Sequence, residues 1–276
     1  MTTDYYAALE ADRAATKHGT SAWSAPRHEH TNPGQMSPKD LEKPAPFTLK
    51  APQSQAVQHR AGATAAQRAW ASKQNALTAI ADHIEAIEPA VHDPRYTYEQ
   101  VRETVKEFTD TPAYQDAVRQ HEAVHAKVED AQHTLAQERA ALTQPGDAAA
   151  ESRALRYWAR TERLLDASND GIGAAHEIIG SATPEQLSVL AEELAPYLKA
   201  KGHDTSWLDD AFAEKVPSLG AAQRRLVAAQ QAAMISDGDM RRLNDMLRQG
   251  PSPDGLRPQR IPAIAYDRRY DPEVDL

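Results

Sequence analysis

The pentapeptide His121-Glu122-Ala123-Val124-His125 sets two imidazoles four positions apart with a carboxylate between them. On a helix this spacing presents two ring nitrogens to one divalent ion, and the glutamate can take a proton from a metal-bound water. The chemistry so permitted is zinc-dependent peptide hydrolysis, with His121 and His125 as ligands and Glu122 as base. A third protein ligand is then required. The position ten residues after the first histidine is Ala131, and Val128 stands where a glycine turn would lead to it. His133 lies about 12 Å from His125 along a continuous helix, too far to share the ion.

The match resembles the HExxH zincins over these five residues alone, and Arg119 and Lys127 put charges where that family has uncharged or apolar neighbours. The resemblance implies a sheet beside the site, and no strand is predicted. For this alternative, Glu151 or Glu162 from a following helix is the candidate third ligand, and His83 or His176 could join a non-catalytic ion. The preferred reading needs no metal or cofactor. It places His121 and His125 in a helix seam with Tyr114, Val118, Val128 and Leu135, each imidazole hydrogen-bonded across the interface. Polar seam residues of this kind set register and partner choice at some cost in stability.

Arg153, Arg156, Arg160 and Arg163 follow a spacing of three, four and three, so they line one face of a helix. They are expected to pair with acidic faces of preceding helices, the rival role being a clamp on phosphates or an acidic partner. Ser168-Asn169-Asp170-Gly171 and Asp237-Gly238-Asp239 lack the alternating oxygens and distal glutamate of a calcium loop. They read as caps and turns.

Among the elements that must carry these residues, only helices are predicted, and the fold class is all-α. Trp70, Leu77 and Ile84, with Ile80 and Ile87, mark a helix from Ala63 to Glu88 that Pro89 ends. Thr97 and Gln100 form a capping box for a second. Thr111-Pro112 opens a helix of about 30 residues that runs to the Gln144-Pro145-Gly146 turn. Asp147 caps the next, with a break at residues 168–171. Thr183 to Gln186 caps another, Asp204 or Thr205 starts a short one, Ser218 starts one through Met234, and Asp237 starts one through Arg248. Short connections favour an elongated antiparallel bundle or helical hairpin over residues 61–180 and a short-helix subdomain over 181–249.

Composition agrees with a thin core. Of the 276 residues only 41% are apolar, many of them alanine, with three Phe and four Trp, and the mean hydropathy is −0.67. The absence of cysteine excludes disulfides and thiolate metal sites and suggests a reducing compartment. A net charge of −9 argues against duplex nucleic acid as partner. With neither a signal sequence nor an apolar run of membrane-spanning length, the expected location is cytoplasmic or within a virion.

Eleven of the eighteen prolines fall in residues 1–60 or 249–276. Proline removes an amide donor and fixes φ, so residues 1–60 and 250–276 read as extended arms, with one short helix near the start. Trp23, Phe47 and Leu49 in the first arm and Tyr266, Arg268, Arg269 and Tyr270 in the second are anchor types suited to binding neighbours. The functional expectation is a non-enzymatic structural or adaptor subunit that contacts other protein subunits, as in a virion or phage particle.

Overall fold

The computed structural model describes residues 53–143, 147–251 and 260–274. They all belong to one unit, Leu49–Leu276. The protein is all-α: the described residues form eight α-helices, two 3₁₀ turns and no strand. In chain order the helices are α1 (Ala65–Val91), α2 (Tyr98–Lys106), α3 (Pro112–Leu142), α4 (Ala148–Ala167), α5 (Gly171–Ser181), α6 (Pro184–Ala200), α7 (Leu208–Lys215) and α8 (Pro217–Gln249).

Local chemistry explains most boundaries. Thr64, Thr97 and Thr183 each accept from the third helical amide while Gln67, Gln100 and Gln186 reach back, so α1, α2 and α6 start in full capping boxes. Thr111, Asp147 and Asp170 cap α3, α4 and α5. Pro89 lies inside the last turn of α1, where it forfeits one backbone bond without ending the helix. Asp204 shapes the turn before α7 instead of capping it, accepting from the Ser206 amide at 3.0 Å.

The largest departure from the sequence reading is α8, one unbroken helix of 33 residues where two were expected. Asp237 and Asp239 do not cap a new helix because both carboxylates have tertiary partners, His125 and the Ile264 amide. Gly238 between them lets the C-terminal segment come close. A Cβ there would meet Ile264 Cδ1 at 3.2 Å.

Helices α1, α3 and α8 pack on one another. Ser72 meets Asp116 and Arg68 meets Gln120, so α1 and α3 are antiparallel; Tyr114 meets Asn244 and His121 meets Ser236, so α3 and α8 are antiparallel too. Helix α8 packs on α1 and α3 and also reaches α7.

Two apolar cores lie toward opposite ends of α3 and α8. One gathers Leu77, Ile80, Ile84, Val101, Val105, Phe108 and Leu243. The other gathers Leu165, Ile179, Leu190, Leu194, Leu198, Phe212 and Leu219. Between them is a narrow waist of Ala69, Val124, Ala232 and Ala233. Alanine lets the three backbones approach closely but buries little area, so the waist supplies less hydrophobic stabilisation than either core.

Residues 260–274 run antiparallel to α1 along its side. Arg260 pairs with Asp82 at 2.7 Å, the Ala263 amide donates to Gln74, and Gln67 donates to the Tyr266 hydroxyl. Helix side chains thus satisfy amides that have no strand partner.

Candidate functional site

The polar cluster at the waist is built from α1, α3 and α8. On α3 the fully buried stripe is Ala113, Asp116, Ala117, Val124, Ala131 and Leu135. The expected seam is therefore rotated by about one residue. Leu135 is central, Tyr114, Val118 and Val128 are half-buried flanks, and the His121 and His125 side chains are 25% and 45% exposed. Close approach at small residues decides this, because alanines bring the helix axes together and displace larger side chains to the edges. Trp70, expected in the α1 seam, is likewise exposed at its rim.

Both imidazoles reach across to α8. His121 Nδ1 lies 2.9 Å from Ser236 Oγ, and its Nε2 lies 3.7 Å from Asp237 Oδ1. His125 Nε2 is 2.9 Å from that same oxygen. The two rings meet edge to face with centroids 4.7 Å apart. The ligand atoms of His121, His125 and Asp237 all lie within 4.8 Å of one another, the arrangement a divalent ion requires. The side chain of Asp237 is 43% exposed.

Lys73 of α1 closes the inner side. It is buried, and its ammonium donates to Ser236 Oγ. Desolvation pushes its pKa down to about 8, against the opposing pull of Asp239 and Asp237. Burial also lowers the His121 pKa, helped by the nearby Lys73 and His125 charges. Asp239 is shifted upward by burial, although the Ile264 amide and Lys73 favour its charged form. Trp70, Lys73, Ser236, Ile264 and Tyr266 line a cavity of about 30 Å³ here. It has room for one water molecule and none for a peptide.

The other candidate ligands stand elsewhere. Glu122, Glu151 and Glu162 are exposed and outside the cluster. His83 is buried against the Thr104 carbonyl at 3.0 Å and stacks on Phe108. His176 stacks on Trp207. Sequence reasoning missed Asp237 because its Asp-Gly-Asp context reads as a helix start. The signal that could have found it is the helical pattern on both sides, which runs through the tripeptide without a change of register.

A second polar group joins the segment before α1 to the helices. Ser72 Oγ donates to Asp116 Oδ2 at 2.6 Å, His59 Nε2 is 3.2 Å from that oxygen and 3.3 Å from Ser72 Oγ, and Arg119 donates to Asp116 Oδ1. The residue types are those of a hydrolase triad, but the order is wrong. Serine and aspartate share the same imidazole nitrogen, and the hydroxyl is spent on the carboxylate, so no base is left to activate it.

In the C-terminal segment, Asp271 is buried and accepts from Thr64 Oγ1 at 2.5 Å and from the Tyr266 hydroxyl at 2.8 Å. Glu273 accepts from the Ala65 amide, the first of α1. Two carboxylates thereby complement the positive end of α1. Tyr266 and Tyr270 line the small cavity, facing their own chain, while Arg268 and Arg269 are exposed. Trp23, Phe47 and Leu49 lie outside the described residues.

The arginine stripe does not pair with the acidic faces of the preceding helices as expected. Among the described residues none of Arg153, Arg156, Arg160 and Arg163 forms an ion pair. Three of them, Arg153, Arg156 and Arg160, line a groove of about 740 Å³ between α4 and α6, with Glu185 and Glu192 on the α6 wall. Thr161 and Leu165 are the buried residues of α4, and Arg163 lies outside the groove lining. Comparison with protein-family models, with curated proteins and with solved structures finds no match to this chain.

Proposed function

We propose that the chain is a non-enzymatic structural or adaptor subunit of a larger protein assembly, an antiparallel helical bundle with proline-rich arms. The observation that carries this reading is the groove between α4 and α6. One wall bears Arg153, Arg156 and Arg160 and the other Glu185 and Glu192. Arginine is enriched in protein contacts, where its planar guanidinium pairs with carboxylates.

The neighbour that fits is a second copy of the chain. A two-fold contact would lay the arginine wall of one copy against the glutamate wall of the other, satisfying both. Trp23, Phe47, Leu49, Arg268 and Arg269 would extend contacts to further subunits. A many-copy particle such as a virion is the setting that suits such a part.

Sedimentation of the full chain tests this. Self-association above the 30.3 kDa monomer is expected. It should be lost in the Arg156→Glu, Arg160→Glu variant and regained when Glu185→Arg and Glu192→Arg are added. A monomer at all concentrations, or association indifferent to these reversals, would overturn the reading.

A further inference from the structure

We infer that His121, His125 and Asp237 form a Zn²⁺ site that clasps α3 to α8. This goes beyond the assembly role and stands independently of it. The three donors come from two antiparallel helices whose apolar contact at the waist is made by Val124, Ala232 and Ala233. For Zn–N and Zn–O bonds of about 2.0 to 2.2 Å at tetrahedral angles, neighbouring donor atoms sit about 3.3 Å apart. The two imidazole Nε2 atoms lie 3.7 and 2.9 Å from Asp237 Oδ1, so they bracket that spacing. Small side-chain rotations would equalise them.

The surroundings fit a metal as well as the donors do. Ser236 Oγ, 2.9 Å from His121 Nδ1, can hold the proton on that nitrogen and leave the Nε2 lone pair free for the ion. The partial exposure of His125 and Asp237 gives an entry path from solvent. Two imidazoles and one carboxylate suit zinc and its neighbours in the first transition row, not magnesium or calcium. The fourth position is left to water. A site assembled from two rods in this way resists their separation, so its role is to lock the waist.

The test is calorimetric titration of the untagged, chelator-treated full chain with ZnCl₂, backed by the visible spectrum of its Co²⁺ form. One equivalent is expected to bind, with the intense bands of four-coordinate cobalt. Asp237→Asn and His125→Ala should each weaken binding by about 10-fold or more. Both positions are near the surface, and helical circular dichroism will show that the variants remain folded. No stoichiometric zinc, or unchanged affinity in Asp237→Asn, would overturn the site. Glu122→Gln should bind zinc normally. Should the zinc form cleave casein and Glu122→Gln abolish it, the site would stand and the non-enzymatic reading would fall.

Discussion

Ser236 Oγ is shared between His121 Nδ1, 2.9 Å away, and the buried ammonium of Lys73. One hydroxyl on α8 thereby ties α1 and α3 together at the point where the apolar core is thinnest. Electrostatics and hydrogen bonding hold the waist, where aliphatic packing holds the two ends.

Replacing Ser236 with alanine should be costly for its size. The Lys73 ammonium would lose its hydroxyl partner in a buried setting, a loss of about 2 kcal/mol. Urea denaturation without metal should show it as a lower midpoint with an unchanged slope. A shift below about 0.5 kcal/mol would mean that Lys73 finds another partner.

The depressed pKa of Lys73, about 8 against the ordinary 10.5 of a lysine, makes stability depend on pH. Below pH 8 both folded and unfolded chains carry the charge, and the folded state bears the full desolvation cost. Between 8 and 10.5 the unfolded chain keeps the proton that the folded chain has released, so stability rises with pH, in total by about 3 kcal/mol. Denaturation at pH 7.5 and pH 9.5 in wild type and Lys73→Met should show the rise only in wild type. Tyrosine ionisation, which begins near pH 9.5, is common to both proteins and cancels in the comparison.

His83 behaves in the opposite range. Burial lowers its pKa below the ordinary value, so it is neutral in the folded chain and protonates more readily when unfolded. Its contribution is present above about pH 6.5 and is lost as pH falls below that value. NMR titration of the ring should place its midpoint below 6.5, and a midpoint above it would contradict the burial.

Asp271 fastens the C-terminal segment to the start of α1. Asp271→Ala leaves Thr64 and Tyr266 without an acceptor and should cost about 2 kcal/mol. Trypsin should then cut at Arg260 and Arg268 faster than in wild type, and equal rates would show that the segment is held by other contacts.

The two apolar cores share α3 and α8, so they should melt together. Leu243→Ala in one and Leu194→Ala in the other remove fully buried side chains and should each cost about 3 kcal/mol. Calorimetry should show one transition lowered in both variants. Two separated transitions would show that the alanine waist uncouples the ends.

What the sequence by itself determined is local. Threonine caps at 97, 111 and 183 and the aspartate cap at 147 place four helix starts, because a cap and its amides lie within three residues of each other. Heptad spacing likewise identified Leu77, Ile80, Ile84 and Ile87 as core. What only the tertiary structure decided depends on partners far along the chain. Asp237 is 112 residues from His125, and nothing near it says that its carboxylate turns to an imidazole instead of capping. The docking of Asp271 on Thr64 spans 207 residues. The rotation of the α3 seam arises from alanines on a facing helix, whose closeness no single-helix pattern encodes. Polar groups desolvated by packing must find partners wherever the fold supplies them, and at the waist that requirement overrode the local code.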